Sequence, residues 1–276
     1  MPWSITSLAA LNPVAEMLTL ERIGRVAVLT LCRPPVNALD DALIARFGAA
    51  IDEVVDDRLT VLHIRSAQKA FCAGADLALL QSCFAAAGGT ETMLLVASRM
   101  QRLFERIEAA PLVTLAEIGG AALGGGMELA LACDIRVAAA DAKLGLPETG
   151  LGLVPGAGGT QRLTRLCGRG VAGRMILGAE VVEGSEAERL GIVQWARPRA
   201  QLADWTRKLA ARIADLPGAA LAAAKQCICA QGDPGRDGFV EELAATRRLY
   251  DHPETRRRVS EFLNRNTMQS HSKETL

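Results

Sequence analysis

A chain of 276 residues with 31 basic and 31 acidic side chains carries no net charge, which argues against nucleic acid or an anionic membrane surface as its partner. The length suits one large α/β domain with a small appendage and a core that needs no staples. Seven cysteines, odd in number, scattered and mostly set among apolar residues, fit reduced thiols in a cytoplasmic protein.

Met1 to Pro13 lacks the basic start and the unbroken apolar run of a signal, so residues 1–16 are expected to form an N-terminal extension. Val26 to Leu31 is rich in β-branched residues and lies between Gly24 and Arg33-Pro34-Pro35, as a buried strand does. Asp40 or Asp41 then caps a helix to about Asp57, with Leu43, Phe47, Ile51, Val54 and Val55 on its inner face. A strand Val61 to Arg65 follows, and the loop Ser66 to Asp76 leads to a helix from Leu77 to about Ala86. Asp76 has a role there as N-cap, while the free N–H groups around Gly74 to Leu77 offer donors and a partial positive charge to a ligand. From this segment alone the two readings stand level.

Gly88-Gly89-Thr90 marks a flexible loop before an amphipathic helix Thr92 to Ala109. A strand Leu112 to Ile118 runs into Gly119-Gly120, and Gly124-Gly125-Gly126 opens a helix from Met127 to about Cys133. Asp134 to Ala139 again reads as strand. Gln161 to Leu166, Val171 to Leu177 and Ser185 to Leu190 read as helices. The spacing Gly168-x-Gly170-x-x-Gly173 matches a dinucleotide fingerprint, but a helix and not a strand precedes it. Gly156 to Thr160 lacks the lysine of a phosphate loop. From Arg199 onward only helices are expected: Ala200–Leu216, Ala219–Ala230, Phe239–Tyr250 and Glu254–Asn264, then a flexible tail, 267–276. The apolar stretches are broken by Glu117, Glu128 and Asp134, well short of a membrane span. Cys227 and Cys229 have no histidine or further cysteine beside them, so no metal is expected.

Two glutamates twenty residues apart (148 − 128 = 20) each adjoin a glycine run. Gly125 and Glu128 lie one helical turn apart, which puts a backbone donor and a carboxylate on one face. A glutamate in a first turn commonly balances the helix dipole at the surface. Met127, Leu129, Ala130, Leu131 and Ala132 argue against exposure, because burying an unpaired ion is costly. Two carboxylates beside bare backbone suggest acid/base work on a polarised carbonyl.

Phe71-x-Ala-Gly-Ala-Asp-Leu77, Ala122-Leu-Gly-Gly-Gly-Met-Glu-Leu-Ala130 through Cys133-Asp134, and Leu146-Pro-Glu148 through Pro155-Gly-Ala-Gly-Gly-Thr-Gln-Arg-Leu163 together resemble the enoyl-CoA hydratase (crotonase) family, in its order and spacing, over roughly Leu18 to Arg265. The resemblance implies an α/β superhelix of strand–strand–helix repeats over 17–198 and a helical region, 199–266, that makes a homotrimer or a dimer of trimers. It implies an oxyanion hole from the N–H groups of Ala75 and Gly125, catalysis by Glu128 and Glu148, and acyl-CoA contacts at Ala73, Asp76, Leu77 and Gly156. No cofactor is implied, since coenzyme A is part of the substrate. Both glutamates are present, as in relatives that hydrate a 2-enoyl thioester, where Glu128 would activate water and Glu148 would carry the proton. The helix start favours charge on Glu128, which makes Glu148 the expected protonated partner.

The chain departs from many relatives at its end, with Arg256-Arg257-Arg258 and Asn264-Arg265-Asn266 in place of an acidic-glycine pair and a lysine-rich terminus. Arginine still suits phosphate contacts. The alternatives are isomerisation or a retro-aldol lyase step on an acyl-CoA, and a non-enzymatic RNA-binding role whose only support is the arginines at 247, 248 and 256 to 258. Five lysines and one tyrosine make no basic-aromatic surface for the last of these.

Overall fold

The N-terminal extension expected over 1–16 and the last part of the expected tail, 272–276, lie outside the residues described by the computed structural model, which covers 17–271 apart from the side chains of Leu77 and of 266–271. The first two strands, β1 (Leu18–Ile23) and β2 (Val26–Leu31), form an antiparallel hairpin with Leu18 opposite Leu31. Helix α1 (Asp41–Asp56) follows, capped by the Asp40 side chain on the Leu43 amide, and the chain returns through β3 (Val61–Ser66), parallel to β2. Next come α2 (Leu77–Ala85), α3 (Gly89–Ala109) and β4 (Val113–Ile118), and then the short β5 (Ala122–Leu123), α4 (Gly125–Leu131) and β6 (Ile135–Ala139).

After β7 (Lys143–Gly145) and a 3-10 turn Pro147–Leu151, the chain runs through α5 (Gly159–Ile176), β8 (Val181–Glu183), α6 (Gly184–Arg189) and β9 (Trp195–Arg197). Four helices end it: α7 (Arg199–Ala214), α8 (Gly218–Ala230), α9 (Gly238–Tyr250) and α10 (Pro253–His271). The main sheet has the order β1-β2-β3-β4-β6-β9, all parallel from β2 onward. A small second sheet holds β5, β7 and β8, so from β4 onward the chain passes back and forth between two sheets as a coil. Every residue of β2 and β4 is buried, as parallel strands covered on both faces are. Among the described residues no helix is long and apolar enough to cross a membrane.

Five strands were not foreseen. β5, β7, β8 and β9 have two or three residues each, too few to show alternation, and β1 exposes half its length. Helix α3 begins at Gly89, inside the expected glycine loop, with Gly88 at φ 76 as its N-cap. The expected break between Leu166 and Val171 appears as a kink at Gly168 (φ 78, ψ 168) inside α5. Helix α10 continues to His271, past the expected end at Asn264, because no Gly or Pro interrupts 254–271.

Helix α7, expected within the oligomerisation region, packs on the main sheet through Leu202, Leu209, Ala210 and Ile213. It also brings Thr206 to the buried Glu117 of β4, which pairs with His63 of β3 at 3.0 Å. Helix α8 is tied down by Lys225, whose Nζ lies 2.8 Å from Asp134 Oδ2 and donates to the carbonyls of Ile107 and Leu112. Asp134 in turn accepts from the Thr114 amide and hydroxyl. Beyond these two helices, α9 and α10 leave Phe239, Leu243, Tyr250 and Phe262 exposed.

Candidate active site

The site grows from α4. Its first turn is glycine because the helix enters a tight place: a Cβ on Gly126 would overlap the Cys72 carbonyl, and one on Gly125 would meet the Met100 side chain at 2.5 Å and the Gly74 Cα at 3.3 Å. The loop before α2 approaches the same point. Gly74 sits at φ 92, and a Cβ there would stand 2.9 Å from both the Gly125 nitrogen and the Leu123 oxygen, so only glycine fits. This contact places Ala75, the next residue, beside the start of α4. Asn37, buried and unforeseen, locks the loop by donating to the Phe71 carbonyl at 2.9 Å and to Ser66 Oγ at 2.7 Å.

Neighbouring amides of the loop are used up: Asp76 N–H donates to Leu39, Ala73 N–H to Val36, and Leu39 N–H to the Gly74 carbonyl. Among the described residues the N–H groups of Ala75 and Gly125 donate to no protein acceptor. Two unpaired amides on adjoining segments, one of them at a helix N-terminus, form a place for a carbonyl oxygen or an anion.

Glu128 is 2% exposed. Its Oε1 accepts from the Ala157 amide at 2.8 Å and the Gly159 amide at 2.7 Å. A Cβ on Gly159 would stand 3.0 Å from that oxygen, so the close approach requires a bare backbone. Glu148 lies in the 3-10 turn, half-buried. Its Oε1 is 3.0 Å from where a Gly124 Cβ would be, so the carboxyl faces the glycine triad, and its Oε2 is buried with no donor among the described residues.

Burial pushes both carboxyls up. For Glu128 it outweighs the Gly159 and Ala157 amides and the Arg162 charge, which favour ionisation, while the charge of Glu148 works with it, and the group reaches about 7. Glu148 is raised by burial. Desolvation thus raises Glu128 in spite of the two amides it accepts from.

The remaining expected contacts divide. Ala73 is exposed at the mouth of the loop and Gly156 is exposed beside Ala157, with its carbonyl accepting from Gln101 Nε2 at 2.7 Å. Asp76 is occupied as the N-cap of α2, accepting from the Ala78 and Leu79 amides, and it pairs with Arg33 at 2.8 Å, which holds its carboxyl below the usual range. Leu77 opens α2, and its side chain lies outside the described residues. Arg162, quoted in the sequence only as part of a motif, binds the loop behind Glu128.

A coil between two sheets that ends in helices is the crotonase fold. The chain belongs to the enoyl-CoA hydratase/isomerase family, whose model matches residues 21–269. It is 43% identical over 194 residues to a probable enoyl-CoA hydratase of Bacillus subtilis, covering 69% of this chain and 73% of that one. To a crotonyl-CoA hydratase of Syntrophomonas wolfei it is 40% identical over 201 residues, 72% of this chain and 75% of the other. The crystal structure of an enoyl-CoA hydratase from Bacillus anthracis superposes with a TM-score of 0.83 at 30% identity, covering 91% of this chain and 97% of that chain.

Proposed function

We propose that this protein adds water across the 2,3 double bond of a 2-enoyl-CoA thioester. The observation that carries the reading is that two raised carboxyls, Glu128 in α4 and Glu148 against Gly124, lie at the glycine triad, where the Gly125 amide and that of Ala75 donate to no acceptor among the described residues. The thioester oxygen accepts from both amides, so the negative charge that builds up on it is met by fixed dipoles. Glu128, held at Oε1 by two amides, takes a proton from water as its oxygen bonds to C3. Glu148 delivers a proton to C2, and the pair is reset when one proton passes from Glu128 to Glu148 through water. Burial lifts Glu128 to about 7, toward neutral pH, which suits a general base.

The hydratase names of the relatives and the retention of both glutamates support hydration over isomerisation. Crotonyl-CoA turnover followed at the enoyl absorbance tests it. Glu128→Gln and Glu148→Gln should each lower kcat by roughly a hundredfold or more. The double variant should lose less than the product of the two, as groups acting in one step do. Wild-type hydration by Glu148→Gln would leave a one-carboxylate reaction as the better reading. The exposed apolar residues of α9 and α10 support assembly with further copies of the chain as a trimer or a dimer of trimers. Sedimentation as a monomer would refute it.

A further inference from the structure

The segment that grips Glu128 is itself held from behind. The peptide joining Gly156 to Ala157 is bound at both ends, its carbonyl by Gln101 of α3 and its N–H by Glu128 Oε1. The next peptide, Ala157 to Gly158, lies between the two amides that grip Glu128, and its carbonyl accepts from Arg162 Nη1 at 2.8 Å. Arg162 Nη2 donates to Glu108 Oε2 of α3 at 2.7 Å. The guanidinium lies 5.9 Å from the centroid of the Phe104 ring, and the Arg162 side chain is 9% exposed. We propose that Arg162 is a positioning residue: it fixes the peptide between the Ala157 and Gly159 amides and thereby holds Glu128 in its working position. This rests on the role given to Glu128 above.

Fold stability alone does not account for such a group. An ion pair drawn out of water is often no more stabilising than apolar side chains of equal volume, Glu108 keeps 37% of its side chain exposed, and Arg162 Nε finds no acceptor among the described residues. The planar fork is what this place uses, since it reaches a backbone carbonyl and a carboxylate at a fixed angle. Electrostatics point the same way. The charged groups facing Glu128 are Glu148 from the 3-10 turn and Arg162 from α5, with Glu108 of α3 paired to Arg162, while α4 and β5 carry no other charge. Arg162 is the cation that favours the ionised form of Glu128.

The test is Arg162→Met and Arg162→Lys, with kcat and KM for crotonyl-CoA measured across pH. Arg162→Met should lower kcat about 10- to 100-fold, the scale of a misplaced reacting group, with KM little changed and the acidic limb moved to higher pH. Arg162→Lys keeps the charge without the fork, so the limb should return toward wild type while kcat recovers in part. In a Glu128→Gln background Arg162→Met should cost almost nothing more. A lowered Tm with unchanged kcat and limb, or losses that multiply in the double variant, overturns the proposal. If Arg162→Met does not fold, Arg162→Lys decides, and wild-type kcat for it is the refuting result. If the wild-type protein does not hydrate crotonyl-CoA, the hydratase reading fails by itself. Arg162 is then judged by carbon-13 titration of glutamate-labelled protein, with the Glu128 signal assigned from Glu128→Gln. A Glu128 carboxyl that titrates higher in Arg162→Met supports the role, and an unmoved one refutes it.

Discussion

Gly74→Ala puts a methyl group where two backbone atoms already stand, 2.9 Å from the Gly125 nitrogen and 2.9 Å from the Leu123 oxygen. Neither is the end of a flexible side chain, so the loop or the start of α4 must move. Alanine at φ 92 adds about 1–2 kcal/mol of backbone strain, and overpacking adds about 1–3 kcal/mol, for a total loss of about 2–5 kcal/mol. The same displacement separates the Ala75 and Gly125 amides, and a lost donor of this kind lowers turnover about a hundredfold to a thousandfold. Gly24→Ala is the control: its φ is 60, it lies in the β1–β2 turn, and its Cβ would meet nothing within 4 Å. It should show the strain alone, about 1–2 kcal/mol, with unaltered turnover. Urea unfolding and crotonyl-CoA hydration measured on both variants separate the two effects. A Gly74→Ala protein that is destabilised yet hydrates at the wild-type rate would refute the pairing of these amides.

Glu128 titrates at about 7 in the folded protein against 4.5 for an ordinary glutamate, a gap worth about 3 kcal/mol. Because the folded value is raised, that stability is fully present below pH 4.5 and is lost as pH rises through 7. Glu128→Gln, neutral throughout, should therefore gain up to about 3 kcal/mol on wild type between pH 4.5 and 8, and a difference in Tm that ignores pH would contradict the burial argument. Lys225→Met strips the Asp134 carboxylate of its buried cation and two carbonyls of their donor. It should lose about 3 kcal/mol or more, read as a lower urea midpoint, and an unchanged midpoint would show that α8 is held by other contacts.

The segments proposed to carry chemistry stand out in the sequence because glycine and glutamate are conspicuous in an apolar run. Glu128 lies inside a helix whose every residue is buried, which its neighbours announced. That helix α7 covers the main sheet was not legible, because an amphipathic stripe looks the same whether it covers its own sheet or another copy of the chain. How far burial raises each carboxyl was not legible either, since spacing carries no record of how much water a group loses. Asn37, Gln101 and Arg162 escaped notice because a side chain that binds a backbone carbonyl or steadies a loop leaves no motif. They became visible once the fold brought distant stretches of chain together, as with Gln101 and Gly156, 55 positions apart.

The two glutamates are anchored very differently. Glu128 is woven into the scaffold, since the first turn of α4 carries both it and the Gly125 amide, and changing it releases the Ala157 and Gly159 amides as well. Glu148 stands on a separate turn with an oxygen that binds nothing among the described residues. Substitution at 148 thus disturbs few neighbours and leaves the Ala75 and Gly125 amides where they are. In a lineage built on this architecture, position 148 is where the reaction can be altered at little cost to the fold.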